Sequence, residues 1–130
     1  MFSIAALLLT ALLFGGMTLY SFGFAPLVFS ALPADVAGKL LRQAFPHYYL
    51  FVMITGAAAG LALLPRDGLA SGLMAAVAVI AIVARQLLMP AINTARDTHA
   101  KSRFNQLHGL SVALNMGQLI AIIAVLVRLA

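Results

Sequence analysis

The stretch from Phe104 to Asn115 holds the densest set of side chains able to bond or ligate. It reads Phe104-Asn105-Gln106-Leu107-His108-Gly109-Leu110-Ser111-Val112-Ala113-Leu114-Asn115. On a helix, His108, Ser111 and Asn115 fall at i, i+3 and i+7 and share one face. A neutral imidazole nitrogen can accept a hydrogen bond or ligate a metal near neutral pH. A hydroxyl and an amide can each both donate and accept. The residues between these three are mostly apolar. Met116 to Val127 then follows with Gln118 as its one strongly polar residue. A polar stripe on a helix bound for lipid must turn toward protein or trapped water. The stripe therefore points either to a ligand held inside the protein or to hydrogen bonds between helices.

Composition says what kind of helix carries the stripe. The chain has 130 residues, 64% hydrophobic and 8% charged, with mean hydropathy +1.08. Soluble domains run at about 45–50% apolar and about 25% charged. The chain therefore reads as an all-α integral membrane protein, one transmembrane domain over 1–130. Its length allows four spans of roughly 20 residues with short connections. There is no Cys, which excludes disulfides, thiolate metal sites and a Cys nucleophile. The net charge of +5 is explained by membrane topology, since cytoplasmic loops collect Lys and Arg. No nucleic-acid partner is expected; the lipid bilayer is.

Four spans can be laid out along the sequence. The first covers about residues 4–29, uncharged and too long for a signal-peptide core, with Pro26 expected to kink it or free a carbonyl. Residues 34–45 follow with Val36, Leu40 and Ala44 on one face and Asp35, Lys39 and Arg42 elsewhere. This predicts a short amphipathic helix lying in the membrane interface, between spans one and two. The second span covers about 47–64, opened by Pro46. Its Gly56-Ala57-Ala58-Ala59-Gly60 run is a GxxxG motif, which lets a neighbouring helix approach closely. Pro65-Arg66-Asp67-Gly68 is a turn. The third span covers about 69–89, with Arg85 and Gln86 in its last turns and Pro90 just beyond. The fourth covers about 106–129, with Asp97 or Thr98 as its expected cap. The expected architecture is an antiparallel four-helix membrane bundle. Small-residue faces would serve packing inside it or a homo-oligomer.

Charge orients the bundle. Lys39 and Arg42 lie between spans one and two, and Arg96, Lys101 and Arg103 between three and four, with Arg85 nearby. The other side has Arg66 and Arg128. The positive-inside rule then places both termini outside the cytoplasm. In this layout the cytoplasmic half gathers Tyr20, Ser21, His47, Tyr48, Tyr49, Arg85, Gln86, His108 and Ser111. His108 lies roughly 13 Å to the cytoplasmic side of a midplane near Gly117. Asn115, Met116 and Met17 lie close to that midplane. Structural readings compete for each. Arg85 can snorkel to headgroups, Tyr48 and Tyr49 can be interfacial aromatics, His47 can be at the surface, and Met residues usually fill cores. Asn115 is the strongest interior candidate, because its amide at mid-membrane needs a partner helix.

Several chemistries are missing. There is no phosphate-cradling P-loop and no HExxH metalloprotease motif, and no serine-hydrolase elbow. The acidic residues are three Asp, all in loops or turns, which argues against a proton relay built on acids. Two His on different spans are able to ligate haem iron or copper, with His108 or His47 as the candidate ligands.

Certain residues also carry a resemblance. These are Gly15-Gly16-Met17, Ser21-Phe22, Ala25-Pro26-Leu27-Val28-Phe29, Leu32-Pro33, Phe45-Pro46-His47-Tyr48-Tyr49, Asn93, Arg96-Asp97 and Phe104-x-x-Leu107-His108-x-x-Ser111-x-x-x-Asn115. In them the chain resembles the transmembrane-protein-205-like family, whose bacterial members are carried as a domain of unknown function. The resemblance implies a four-span protein of the bacterial inner membrane. It also implies a link to metal tolerance, because animal members are associated with tolerance to the metallodrug cisplatin. It transfers no catalytic residues. In size and layout alone, the chain is similar to copper-resistance membrane proteins and to the haem-linked protoporphyrinogen oxidase of bacteria.

Three functional readings follow. The first is a protein that binds or transports a small ligand, a soft metal complex or haem, in the cytoplasmic-side polar layer. His108, Ser111, Asn115, His47, Tyr48, Arg85, Ser21 and Met17 would line the site. The second is a non-catalytic scaffold or assembly protein whose polar stripe holds helices together. The third is a haem-dependent membrane oxidoreductase.

Overall fold

The computed structural model describes the backbone of residues 2–130 and the side chains of residues 4–130. Four helices are long and apolar enough to cross a membrane: α1 (Ile4–Ala31), α2 (Ala34–Leu63), α3 (Gly68–Asp97) and α4 (Lys101–Leu129). No strand occurs among the described residues. The chain is a multi-pass membrane protein. Each helix has 28 to 30 residues, or about 42–45 Å at 1.5 Å per residue. A hydrocarbon core is about 30 Å thick, so helix ends reach past it into headgroups and water.

That extra length accounts for the one clear departure from the expected elements. Residues 34–45 do not form a separate interfacial helix. They are the first three turns of α2, which runs unbroken through Pro46. Ala37 and Leu41 are buried with Val28 of α1, and Phe24, Ala25, Leu32 and Phe45 pack around them. Burial against α1 holds these turns in line. Pro46 costs the helix one bond, to the Arg42 carbonyl, and the neighbouring turns carry the helix across it.

At the other two helix-interior prolines the backbone answers differently. Leu19–Phe24 in α1 and Ala84–Leu88 in α3 are π-helical. Each wide turn ends two residues before a proline, Pro26 or Pro90. The Ala25 N–H bonds the Tyr20 carbonyl, and the Met89 N–H bonds the Ala84 carbonyl. A proline ring clashes with the carbonyl four residues earlier, and widening the turn relieves that clash without breaking the helix. The helices therefore continue to Ala31 and Asp97. Widened turns of this kind are frequent at functional positions, and these two carry Ser21 and Arg85.

The helices meet as small residues and buried side chains dictate. α2 packs on α3 and on α1, α3 packs on α4, and α1 packs on α4. Gly56 and Gly60 face α3. A Cβ at Gly56 would lie 3.6 Å from the Met74 carbonyl oxygen, and one at Gly60 would lie 3.5 Å from the Ser71 carbonyl oxygen. The GxxxG motif thus serves packing within the chain. The Ser71 hydroxyl donates to the Gly60 carbonyl at 2.8 Å across the same contact. Leu13 and Met17 of α1, Val52 and Leu63 of α2, Met74 and Val77 of α3, and Ile122 and Val125 of α4 are fully buried in one core.

The connections are short and pinned. The Asp67 carboxylate accepts from the Ala70 N–H at 3.2 Å, capping α3, and from Arg128 at 2.8 and 3.0 Å. Those bonds, the Arg128 guanidinium first, hold the Asp67 carboxyl below the usual carboxylate range. Between α3 and α4 the chain turns through His99, a non-glycine residue at φ 57°. α4 begins at Lys101, earlier than position 106, and neither Asp97 nor Thr98 caps it. The Thr98 hydroxyl bonds back to the Thr94 carbonyl at 2.8 Å. Asp97 pairs with Arg42 through two bonds of 2.9 Å, tying the end of α3 to α2.

Candidate functional site

The polar layer resolves into a hydrogen-bonded joint. The Asn115 side chain sits at its centre. Its Oδ1 accepts from the Tyr48 hydroxyl at 2.6 Å, and its Nδ2 donates to the Ser21 Oγ at 3.0 Å. One amide on α4 thereby joins α1 and α2. One turn away, the Tyr49 hydroxyl and the Ser111 Oγ lie 3.2 Å apart. Gln118, further along α4, donates to the Val77 carbonyl of α3 at 2.9 Å and is buried. Buried polar groups are costly unless paired, and these pair with one another.

Sequence makes the geometry possible. Ser111, Asn115 and Gln118 lie at helical spacing, so one face of α4 meets all three other helices in turn. The π-helical turn in α1 holds Ser21. Pro46 is followed at once by the rest of the site, with Tyr48 and Tyr49 both buried. The Tyr20 ring stacks on Tyr48 with centroids 4.1 Å apart, and Phe45 meets Tyr20 edge-on at 5.5 Å. Tyr20, Phe45, Tyr48 and Tyr49 form one aromatic group beside these bonds. Tyr20 contributes a buried hydroxyl with no partner among the described residues.

The other expected site residues go elsewhere. Met17 is fully buried in the core. Arg85 is half-buried and gives its Nε to the Pro46 carbonyl at 3.3 Å, so it braces α3 on α2. His108 is exposed, stacked in parallel on Phe104 at 5.8 Å, and does not join the Asn115 bonds. His47 is exposed and lines an open groove of about 500 Å3 with Gly16, Tyr20, Phe24, Ala44, Tyr48 and Phe51. His108 does not line that groove. Among the described residues no three of His, Cys, Asp and Glu gather where they could hold one ion. The two histidines stand on α2 and α4 with no shared recess, so they do not converge on one metal as a pair.

Tyr49, Tyr20 and Gln118 belong to the joint although the stripe of His108, Ser111 and Asn115 does not single them out. The signal for Gln118 was its isolation in an apolar run. For the tyrosines it was their expected place in the polar layer with Ser21 and Ser111.

The profile of a protein family described as a domain of unknown function, DUF4149, matches residues 8–101. The chain belongs to this family. The matched DUF4149 stretch spans α1 to α3 and contains Ser21, His47, Tyr48 and Arg85; Ser111 and Asn115 lie beyond it. No curated protein and no solved structure matches the chain.

Proposed function

We propose that this DUF4149 protein is a non-catalytic scaffold of the membrane, an antiparallel four-helix bundle whose polar layer is a structural joint. The observation that carries the reading is Asn115, whose amide uses its donor and its acceptor on Ser21 and Tyr48. A site poised for a ligand keeps convergent polar groups available in a concave pocket. Here the interior amide and hydroxyl groups other than that of Tyr20 are engaged with one another, and the recesses at the α3–α4 connection and beside His47 are open ones. The location proposed is the bacterial inner membrane, with both termini outside the cytoplasm. The excess of Lys and Arg beside the α1–α2 and α3–α4 connections supports that orientation. A reporter fused after Arg128 that reads as cytoplasmic would reverse it.

The test is purification in mild detergent followed by native mass spectrometry and absorption. The scaffold reading expects the mass of the chain or a defined oligomer, with no small-molecule adduct and no band near ~400 nm. Copurification of a metal complex or haem that His108→Ala or His47→Ala abolishes, with an unchanged melting temperature, would replace it with the binding reading. The groove beside His47 gives that second reading its one specific support, because His47 and Tyr48 line it together. The resemblance to the transmembrane-protein-205-like family makes platinum complexes the first ligands to try, and the similar layout of copper-resistance membrane proteins adds copper.

A further inference from the structure

A recess of about 340 Å3 lies at the α3–α4 connection, lined by Ala95, Arg96, His99, Lys101 and Phe104. We propose that it binds the phosphate of an anionic phospholipid headgroup.

Its chemistry is one-signed. Arg96 and Lys101 are cations, and His99 adds a third nitrogen base. No acid lines the recess. The neighbouring acid, Asp97, is engaged by both terminal nitrogens of Arg42 at 2.9 Å. The Arg96 guanidinium is held in place, with its central carbon 5.2 Å from the Phe104 ring centroid and its Nη1 3.4 Å from the Gly38 carbonyl. That posture uses one donor and leaves the rest of the planar fork for a phosphate, the anion whose geometry it matches. Lys101 opens α4 and makes no side-chain hydrogen bond among the described residues. Ala100, which precedes it, supplies no side-chain cap.

Position selects a lipid over a free anion. The recess stands where two membrane-spanning helices end, so its level is that of the headgroups. Its floor is apolar, Ala95 and Phe104, and its rim is cationic. Lys39 and Arg103 add positive charge around the same end, offset in part by Asp35. Basic pockets between spans are the usual form of headgroup sites, and a cation that lines the pocket strengthens binding by about fivefold.

The experiment uses the full chain in a neutral detergent, titrated with phosphatidylglycerol or phosphatidylcholine and read by native mass spectrometry. Phosphatidylglycerol should bind preferentially, and Arg96→Gln or Lys101→Gln should each weaken that binding by about fivefold. Arg103→Gln, whose side chain does not line the recess, should leave it within about twofold of the unaltered chain. Lys101→Gln removes no hydrogen bond or ion pair among the described residues and keeps the test open should Arg96→Gln lower the melting temperature. Equal uptake of the two lipids would overturn the proposal. So would an equal loss in Arg103→Gln, which would mean diffuse charge and no site. A further arm adds inorganic phosphate and glycerol phosphate; if either displaces the lipid at millimolar concentration, the ligand is a free phosphate and the lipid assignment falls.

Discussion

At the residue scale, the molecule separates polar side chains by whether they find one another. Tyr48 and Tyr20 show the contrast. Both rings are packed in the same stack, 4.1 Å apart. The Tyr48 hydroxyl bonds Asn115, while the Tyr20 hydroxyl is buried without a partner. A buried hydroxyl left unpaired costs about 1–3 kcal/mol. Tyr20→Phe should therefore keep or raise the melting temperature in detergent, with a gain of up to about 1 kcal/mol. A clear loss would show that the hydroxyl has a partner in the membrane. That Asn115 would need another helix was legible from its amide at mid-membrane. That His108 would not share its fate was not legible. Residues at i and i+7 share a face on paper, but at this level of α4 it is Leu107 that turns toward the core, and His108 is left outside. His108 rests on Phe104 there.

At the element scale, close helix contact was read correctly from the small residues, and the backbone's response to proline was only half read. Gly56 and Gly60 announced the approach of α3, because no other pattern lets backbones come so near. Pro26 and Pro90 announced a disturbance, and Asn93, Arg96 and Asp97 at helical spacing announced that the third helix continues past Pro90 to Asp97, but nothing announced that the turn before each proline would widen. The break expected at Pro46 failed for a reason absent from local sequence: Ala37 and Leu41 are buried against Val28 of α1, a contact distant in the chain. The same logic separates glycines that look alike in sequence. Gly60→Leu should destabilise by about 1–3 kcal/mol, because its side chain would meet the α3 backbone. Gly117→Leu should be nearly neutral, since a Cβ there meets nothing within 4 Å. Thermal unfolding of the two variants side by side checks this, and equal losses would contradict the packing described.

At the scale of the whole molecule, two ion pairs bracket the membrane-spanning part: Arg42 with Asp97, and Asp67 with Arg128. Neither pairing was legible, because each partner reads alone as a loop charge. Arg128 holds the Asp67 carboxyl below its ordinary range, so the folded state favours the ionised form. The sign follows: this stabilisation is fully present above about pH 4, the unfolded carboxylate range, and is lost as pH falls through the lower folded value. The gap in melting temperature between the unaltered chain and Asp67→Asn should close as pH is lowered from 7 to 3. A gap that holds constant would remove the ion pair from the account. The central claim, however, concerns the joint that fastens α1, α2 and α4 through one amide. It is tested most directly by a double-mutant cycle on Tyr48→Phe and Asn115→Leu, read as unfolding free energy in detergent. Asn115→Leu alone should cost about 0.5–2 kcal/mol, and in its background Tyr48→Phe should cost nothing further or recover stability, a coupling of about 0.5–1 kcal/mol. Strictly additive losses would mean that the two side chains do not meet, and the joint would not exist.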